Sequence, residues 1–365
     1  MLALYDDSSA STRVRLLNYI SGLEIGGYSC DVNFLLPSNG VLRGLVLKES
    51  TSVACTTLLS SLLALARSYV SRIQLLLNAK RFDLIIIQCE VFPLVPAFLE
   101  SFLLRIPFVY DFDDAFFLRY RLGSYRWLSP LLGSKFDRLM SAAKVVTAGN
   151  AILAAYASRF STNVTILPSV VDTDHYRPAE IFPGGHSADP FTVGWIGSPS
   201  TAPYLQLLVQ PLQQLARERP VRLVVVGGPA PAIADVEVVE QPWSLEQEVP
   251  LIQQFDVGVM PLPDTPWARG KCAYKLIQCM ACGIPVVASR VGANVDAVPP
   301  ECGLLACLPA DWLDALRVLA SDAELRQRLG ASGRRWVEER YSLHSALPVL
   351  KGVIQHALTV GQLRR

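Results

Sequence analysis

The chain has 365 residues, of which 51% are hydrophobic, and its 33 Lys and Arg against 32 Asp and Glu give a net charge of +1. This length exceeds one ordinary hydrophobic core and predicts two domains of about 150–200 residues each. Proteins that act on nucleic acid usually carry a basic excess, so the balanced charge argues against a nucleic-acid partner. Any anion-binding site must therefore be local.

The N-terminus and the cysteines indicate the cellular setting. The N-terminus lacks the basic region and apolar core of a signal peptide, and no uncharged stretch is long enough to span a bilayer. The eight cysteines lack the spacing of a small disulfide-bonded domain, which predicts reduced thiols and a cytoplasmic protein. Cys279 and Cys282 form a C-x-x-C with no His or second C-x-x-C nearby, so we expect buried apolar thiols rather than a metal site.

Short apolar runs alternate with helical patterns along the chain. The predicted strands are 2–5, 82–89, 106–110, 144–147, 163–167, 191–196, 221–226, 255–261 and 284–288. The predicted helices include 203–217, 271–282, 312–320, 323–340 and 345–360. Most strand runs are continuously apolar, as expected for parallel strands covered on both faces, and the alternation is typical of doubly wound α/β domains.

A break in both periodicities divides the chain. Residues 172–190 are rich in Pro and Gly, and a new strand begins at Phe191. We therefore expect one domain at 1–175 and a second at 190–344. Residues 345–365 are predicted to form a terminal amphipathic helix with no strand after it.

Ligands of open α/β sheets bind at the carboxyl ends of strands, so the residues after each strand are the candidates. Arg13 and Arg15 follow the first strand and can reach an anionic group, although a solvated helix start fits their spacing equally. Asp111, Asp113 and Asp114 follow the strand at 106–110. Three adjacent carboxylates repel one another and can raise a pKa for acid–base work, with polar caps on a strand end as the alternative.

A stretch at 116–127 mixes aromatic residues with Arg119, Arg121 and Arg126. This composition suits a membrane surface or a lipid-linked ligand. A loop packed on its own domain explains it equally well, so a peripheral contact at the inner face of the membrane is left open.

Two glycine turns follow strands in the second domain. Gly197 and Ser198 end the strand at 191–196, and Gly227 ends the strand at 221–226. Glycine allows the close approach of a ligand such as a phosphate, but ordinary caps and turns use it too. The G-x-G-x-x-G pattern of dinucleotide enzymes occurs nowhere in the chain.

The most informative segment lies at 267–289, where a loop leads into the predicted helix at 271–282. Lys271, Lys275 and Gln278 are spaced to share one helix face. Cations such as Arg269 and Lys271 at a helix start oppose the macrodipole, and the segment contains no acidic residue. We therefore expect a bound anion, for which a diphosphate fits, and a solvated basic patch is the alternative.

These residues resemble family 4 glycosyltransferases. Trp267-Ala-Arg-Gly-Lys-Cys-Ala-Tyr-Lys-Leu-Ile-Gln278 looks like the motif of a bacterial subgroup, and the segments around Ser11, Asp111 and Leu167 match the same subgroup. The resemblance covers nearly the whole chain. It implies the GT-B architecture, with two Rossmann-like domains facing across a cleft and a final helix that returns to the first domain.

The resemblance also implies an activity. Such enzymes move a sugar from a nucleoside-diphosphate sugar to a glycan, lipid-linked or small-molecule acceptor with retention, and they need no metal or other cofactor. The donor would contact Gly197, Ser198, Gly227, Arg269, Gly270, Lys271, Lys275 and Gln278. The acceptor would contact Arg13, Arg15 and Glu90, with Asp111, Asp113 and Asp114 as the catalytic candidates. Asp111-Phe-Asp113 also resembles the metal-binding D-x-D of a one-domain architecture, which the two-domain layout argues against.

The chain departs from the family pattern in three respects. Many members carry two Glu where this chain has Gly270 and Gln278, and the subgroup has Arg where this chain has Cys89. Gln278 can still bond a hydroxyl, whereas Gly270 cannot contact the donor sugar. A non-catalytic scaffold that binds sugar nucleotide or glycan therefore stays an alternative, as does a sugar-nucleotide epimerase. Many members also have a His near Asp111.

Overall fold

The computed structural model describes residues 1–36, 55–179 and 190–362. The chain divides into two compact units. The N-terminal unit comprises Met1–Ser169 together with Ala346–Arg365, and the C-terminal unit comprises Val170–Ser345. The first division lies six residues before the predicted boundary at 175, and part of the predicted linker, 180–189, lies outside the described residues.

The N-terminal unit is built on a six-stranded sheet in the order β2-β1-β3-β4-β5-β6, and every neighbouring pair is parallel. Its strands are β1 Leu2–Tyr5, β2 Asn33–Leu36, β3 Ile85–Gln88, β4 Phe108–Phe112, β5 Val145–Ala148 and β6 Val164–Ile166. Its helices are α1 Ala10–Arg15, α2 Ile20–Ile25, α3 Cys55–Leu77, α4 Ala97–Leu103, α5 Ser129–Leu132, α6 Lys135–Ala142 and α7 Ala151–Ala157.

The C-terminal unit has a second parallel sheet of six strands, in the order β12-β11-β10-β7-β8-β9. Its strands are β7 Phe191–Ile196, β8 Val221–Val226, β9 Glu237–Gln241, β10 Val257–Met260, β11 Val286–Ser289 and β12 Gly303–Ala306. Numbered within the unit, this order is 3-2-1-4-5-6, that of a doubly wound Rossmann sheet.

Helices connect the strands of this second sheet. They are α8 Val209–Ala216, α9 Leu245–Ile252, α10 Pro266–Arg269, α11 Tyr274–Ala281, α12 Asn294–Ala297, α13 Pro309–Ser321 and α14 Ala323–Arg340. The last helix, α15 Leu343–Gln362, begins at the end of this unit, and its residues from Ala346 onward are part of the N-terminal unit.

Both faces of the C-terminal sheet are buried, which accounts for the continuous apolar runs. In β8, Val224 and Val226 belong to one apolar cluster, while Leu223 and Val225 belong to another. Because successive side chains of a strand point to opposite faces, the two clusters lie on the two sides of the sheet. The prediction of doubly wound α/β domains is confirmed.

Nine of the twelve strands in the described residues were predicted from apolar runs. The sequence analysis missed β2, β9 and β12. All three lie at sheet edges in the order of the strands, and β9 carries exposed or half-buried residues throughout. An edge strand need not be continuously apolar, so its sequence gives a weaker signal.

The thiols of the C-x-x-C are buried, and Cys279 and Cys282 are both free. Burial raises the pKa of Cys279 to about 12 and raises that of Cys282 also, which disfavours the thiolate that metal binding needs. No helix in the described part of the chain is both long and apolar enough to cross a bilayer.

Packing against β7 depends on one glycine. A Cβ added to Gly194 would collide with the ring of Phe255, which is 1% exposed. At Gly352 in α15, an added Cβ would meet no atom within 4 Å.

We therefore expect Gly194→Ala to lower the free energy of unfolding by about 1–3 kcal/mol through overpacking. Gly352→Ala should raise it by about 0.5–1 kcal/mol, because alanine favours the helix. Urea unfolding of both variants tests this pair. Equal effects of the two substitutions would contradict the packing argument.

Candidate functional site

The order of the C-terminal sheet identifies where a ligand can enter. The winding of the chain reverses between β7 and β10, which are neighbours in the sheet. At such a reversal, connections leave to opposite faces and open a crevice at the carboxyl ends of the strands. Gly197 follows β7 at this point, and α11 follows β10 through a loop and a short helix.

Two glycine turns pack against each other at this edge. The backbone N–H of Gly197 donates to the carbonyl oxygen of Val226 at 3.0 Å. Gly227 has a φ of +83°, and a Cβ there would lie 2.5 Å from the carbonyl oxygen of Gly197. Glycine is therefore required at Gly227 both by its left-handed backbone and by the close approach of the turns.

Lys275 of α11 lies over the Gly197 turn. Its Nζ donates to Oγ1 of Thr201 at 2.9 Å and lies 4.1 Å from the centroid of the Trp195 ring. A Cβ at Gly197 would collide with this ammonium group, so the bare turn is what admits it. An ammonium over an indole face is stabilised by the ring quadrupole, which fixes where the charge is presented.

Three hydroxyl residues follow Gly197 in the chain, and one of them, Thr201, contacts this ammonium. Ser198 is exposed, and its Oγ lies 2.9 Å from Oγ of Ser200. Thr201 Oγ1 donates to the carbonyl oxygen of Ser198 at 3.1 Å. The structure thus brings Gly197, Ser198, Gly227 and Lys275 together. The sequence analysis did not give Trp195 or Thr201 a ligand-site role, because the contacts join residues far apart in the chain.

The segment at 267–289 differs from its prediction. The helix α11 begins at Tyr274, after Ala273 with a left-handed φ of 55°, so Lys271 precedes the helix and does not share its face with Lys275. The prediction of one helix from 271 to 282 is therefore wrong at its start. Lys271 Nζ lies 6.0 Å from the Trp267 ring centroid.

An acidic residue just before this segment neutralises Arg269. Arg269 ends α10, and its Nε and Nη2 donate to the two carboxylate oxygens of Asp264 at 2.5 and 2.9 Å. Both side chains are exposed, and the pairing lowers the pKa of Asp264. The expectation that Arg269 needs a bound anion to balance its charge overlooked this carboxylate. Gly270 caps α10 with an ordinary right-handed φ of −81°.

Gln278 is buried and makes contacts within the protein. Its Nε2 donates to Oε1 of Glu248 at 2.5 Å and to the hydroxyl of Tyr176 at 3.1 Å. Tyr176 in turn donates to the other oxygen of Glu248 at 2.8 Å. This triad ties α11 to α9 and to the segment before the second domain's first strand, so it positions the helix that carries Lys275.

The sheet of the N-terminal unit has its own reversal, between β1 and β3. Gln88 ends β3, and its Nε2 donates to Oγ of Ser11 at 2.8 Å. Ser11 donates to Oδ2 of Asp113 at 2.7 Å. Burial raises the pKa of Asp113 to about 6, with the neighbouring charge of Asp114 adding to the rise. A hydrogen-bonded carboxylate with a raised pKa therefore lies at the carboxyl edge of this sheet.

Arg15 and Asp111 are paired with each other inside the same unit. The guanidinium donates to both carboxylate oxygens of Asp111, at 3.0 Å through Nε, and also to the carbonyl oxygen of Leu167. Thr147 donates to Asp111 at 2.6 Å, and the pair is almost fully buried. Arg13 donates to the carbonyl oxygens of Asp7 and Ser8, which fixes the loop after β1. Arg15 and Asp111 are thus engaged in contacts within the N-terminal unit.

The first part of the loop after β3, residues 89–93, is buried although it has no regular structure. Cys89 and Leu94 adopt left-handed φ values of 62° and 63°, which are costly for residues with a side chain. Four of its carbonyl oxygens, at 89, 91, 92 and 93, accept hydrogen bonds from side chains, respectively Tyr110, Arg72, Lys135 and Tyr69. Side chains thus replace the pairing that a strand or helix would supply.

Glu90 lies at the centre of a buried ionic cluster that fixes this loop. Lys135 is fully buried, and its Nζ lies 2.8 Å from Glu90 and 2.8 Å from Glu100. Arg119 pairs with Glu90 at 2.9 Å, and the hydroxyl of Tyr120 donates to it at 2.6 Å. Burial raises the pKa of Glu100 to about 7 despite the Lys135 contact. Glu90 therefore supports the loop and has no exposed surface for a ligand.

The aromatic and basic stretch at 116–127 packs on its own unit. Phe116, Phe117 and Tyr120 are buried. Arg119 is engaged by Glu90, and Arg121 pairs with Asp137. The exposed apolar side chains of the stretch are Leu122 and Trp127. The packed-loop alternative accounts for most of its composition.

Comparison with known proteins points to one class. Residues 190–322 match a family model described as Glycosyl transferases group 1. A D-inositol 3-phosphate glycosyltransferase of Jonesia denitrificans is 27% identical over 194 residues, 48% of this chain and 46% of that protein. Another, of Stackebrandtia nassauensis, is 29% identical over 198 residues, 46% of this chain and 43% of that protein. The chain thus aligns with slightly less than half the length of these curated relatives.

Solved structures match over nearly the whole chain. Sucrose-phosphate synthase from Thermosynechococcus elongatus superposes with a TM-score of 0.72 at 16% identity, covering 98% of this chain and 99% of that one. HepE from Anabaena, solved with UDP-glucose, has a TM-score of 0.67 at 16% identity, with 97% and 99% covered. At these identities the likeness shows the fold. The chain has the GT-B fold, as predicted.

The ionic cluster makes a prediction about stability. Lys135→Met leaves Glu90 and Glu100 buried without their shared cation, and we expect it to lower the free energy of unfolding of the N-terminal unit by about 3–5 kcal/mol. Arg138→Met, on the same helix but exposed, should change it by less than about 0.5 kcal/mol. Urea unfolding monitored by far-UV circular dichroism compares the two. Similar losses would show that the cluster does not stabilise the unit.

Proposed function

We propose that this protein is a retaining glycosyltransferase of family 4 that takes its sugar from a nucleoside-diphosphate sugar. The observation that carries the proposal is the ammonium of Lys275 at the switch point of the C-terminal sheet, above the bare Gly197 turn. The match of residues 190–322 to a glycosyltransferase family model supports it.

The diphosphate of the donor binds Lys275 and the hydroxyls of Ser198 and Thr201 in this proposal. Gly197 lets the Lys275 ammonium lie against the backbone of its turn, because a Cβ there would collide with that group. Gly227 lets its own turn pack on the carbonyl oxygen of Gly197. Lys271, which is half-buried beside Trp267, supplies a second cation. Arg269 contributes less than its charge suggests, since Asp264 already neutralises it.

Two further donor assignments change with the structure. We assign Gln278 to positioning α11 rather than to the ribose, because both its bonds go to buried side chains. Gly270 offers no side chain to the sugar, so sugar recognition falls on other residues of the crevice. UDP-glucose, which HepE binds in its solved structure, is the first donor to test.

The chemistry needs charge stabilisation at the leaving group. The bond from the anomeric carbon to the phosphate oxygen breaks with its electron pair, and the nucleoside diphosphate departs with one more negative charge. The Lys275 ammonium stabilises that charge, which is larger in the transition state than in the bound donor. The anomeric carbon forms its new bond to the acceptor hydroxyl oxygen, and the hydroxyl proton goes to a carboxylate.

We assign the proton-accepting role to Asp113, in the N-terminal unit. Its raised pKa and its place beside Ser11 at the carboxyl edge suit a group that receives a proton. The acceptor itself is a hydroxyl compound, which we take to be a glycan, a lipid-linked glycan or a small molecule. The curated relatives, named as glycosyltransferases of an inositol phosphate, make a phosphorylated cyclitol the first small acceptor to test.

A non-catalytic scaffold is the second candidate, because Gly270 stands where many relatives have a Glu that contacts the donor sugar. The two functions differ in one measurement. A transferase releases nucleoside diphosphate from its donor when acceptor is present, whereas a scaffold binds the donor and leaves it intact.

Donor binding tests the Lys275 assignment. We expect UDP to raise the melting temperature of the wild type. Lys275→Met should weaken UDP binding at least about 10-fold, because a hydrogen bond to a charged group contributes about 1.5–3 kcal/mol. Arg328→Gln changes an exposed cation elsewhere in the same unit and should leave binding unchanged. Isothermal titration calorimetry gives the affinities, and an unchanged Lys275→Met affinity would refute the assignment.

The pH dependence of turnover tests Asp113. In the wild type, kcat/KM should rise with pH through about 6, as Asp113 loses its proton and can act as a base. Asp113→Asn should reduce kcat/KM about 100-fold or more and remove this rise, which is the acidic limb of the pH profile. Ser11→Ala should move the limb to higher pH, because ionised Asp113 loses a donated hydrogen bond. If the residual activity of Asp113→Asn still rose with pH as in the wild type, Asp113 would not be the proton acceptor.

A further inference from the structure

A groove in the N-terminal unit lies away from the residues assigned to transfer. It is formed by α4, the amino end of β4 and the end of α6, and it has a volume of about 410 Å³. We call it the basal groove, and its lining includes Phe98, Arg105, Pro107, Arg138, Leu139 and Lys144.

The charged side chains that line the basal groove are all cations. Arg105 and Arg138 are exposed and Lys144 is half-buried, and the described lining residues include no Asp or Glu. Arg105 donates through Nε to the carbonyl oxygen of Phe102 at 2.9 Å. Cations near helix ends compensate the helix dipole, which accounts for part of this charge. That compensation does not explain the apolar side chains beside it.

Large apolar side chains stand exposed on α4 next to these cations. Phe98 is 48% exposed and Phe102 is 68% exposed. The two are four residues apart, so they share one face of the helix, and Phe98 also lines the groove. Leu99 on the next position is 47% exposed. Aromatic rings beside a set of cations are the composition of surfaces that insert shallowly at the boundary between lipid headgroups and acyl chains.

We propose that the basal groove and the exposed face of α4 dock onto an anionic lipid surface. Arg105, Arg138 and Lys144 bind the lipid phosphates, while Phe98 and Phe102 enter the headgroup region. This docking goes beyond the proposed transfer activity and does not depend on it. It moves the membrane contact from the stretch at 116–127, which is mostly packed on its own unit, to a surface that the sequence analysis did not identify.

The location of the groove has a consequence for activity. Pro107 and Phe108 line it at the amino end of β4, whereas Asp113 follows the carboxyl end of the same strand. Five strand residues at about 3.3 Å each separate the two ends by about 17 Å. A lipid surface bound at the groove therefore leaves the carboxyl edge of this sheet uncovered.

Vesicle co-sedimentation tests the docking. The protein should bind vesicles of phosphatidylcholine with phosphatidylglycerol, fail to bind phosphatidylcholine alone, and dissociate at high salt. Each cation near an anionic surface contributes about a 5-fold factor, so Arg105→Gln with Arg138→Gln should weaken binding about 25-fold. Part of the binding to anionic vesicles should resist added salt because it is apolar. Phe98→Ser with Phe102→Ser should weaken this salt-resistant part.

A matched control lies in the other unit. Leu308→Ser with Arg328→Gln removes one exposed apolar side chain and one exposed cation there, and vesicle binding should not change. Circular dichroism melting of every variant identifies any loss of folding. Equal binding to neutral vesicles, or equal losses in the control variant, would overturn the proposal. So would binding of glycerol phosphate at the groove without vesicle binding, which would indicate a free anion.

Discussion

The N-terminal unit depends on a lysine that is buried between two carboxylates. Moving Lys135, Glu90 and Glu100 out of water is costly, and only their close mutual contacts offset that cost. The cluster contacts the loop after β3, because Lys135 bonds both Glu90 and the carbonyl oxygen of Phe92 in that loop. Because every buried carbonyl there needs a donor, the charged and phenolic side chains act as an internal scaffold for an irregular backbone.

Lys275 shows the opposite use of an ammonium group. It is half-buried, and its contacts include a threonine hydroxyl and the face of Trp195. Such contacts orient a cation and still let it attract an anion strongly. The buried triad of Gln278, Glu248 and Tyr176 fixes the helix that presents it. The buried cluster around Glu90 thus supports an irregular loop, while the buried triad of Gln278 positions the helix that carries Lys275.

Local signals in the sequence predicted the α/β class, nine strands and the glycine turns, because apolar runs and glycine positions depend on neighbouring residues. The edge strand β9 was missed since it carries no continuous apolar run. The start of α11 was misplaced because Ala273 adopts a left-handed backbone conformation, which an alanine does not predict. Pairings such as Arg15 with Asp111 join residues 96 apart in the chain, so no local pattern contains them. For the same reason, the ion pairs of Glu90 with Arg119 and Lys135 were not predicted.

The same long-range pairing explains why neighbouring aspartates differ. Asp111 lies in β4, and Asp113 follows the end of that strand two residues later. Arg15 lies near both carboxylates, and its guanidinium forms a bidentate pair with Asp111. The Arg15 charge lowers the pKa of Asp113 by less than burial raises it, so the pKa rises to about 6. A single arginine thereby pairs with one carboxylate, while the other accepts a hydrogen bond from Ser11 and has a raised pKa.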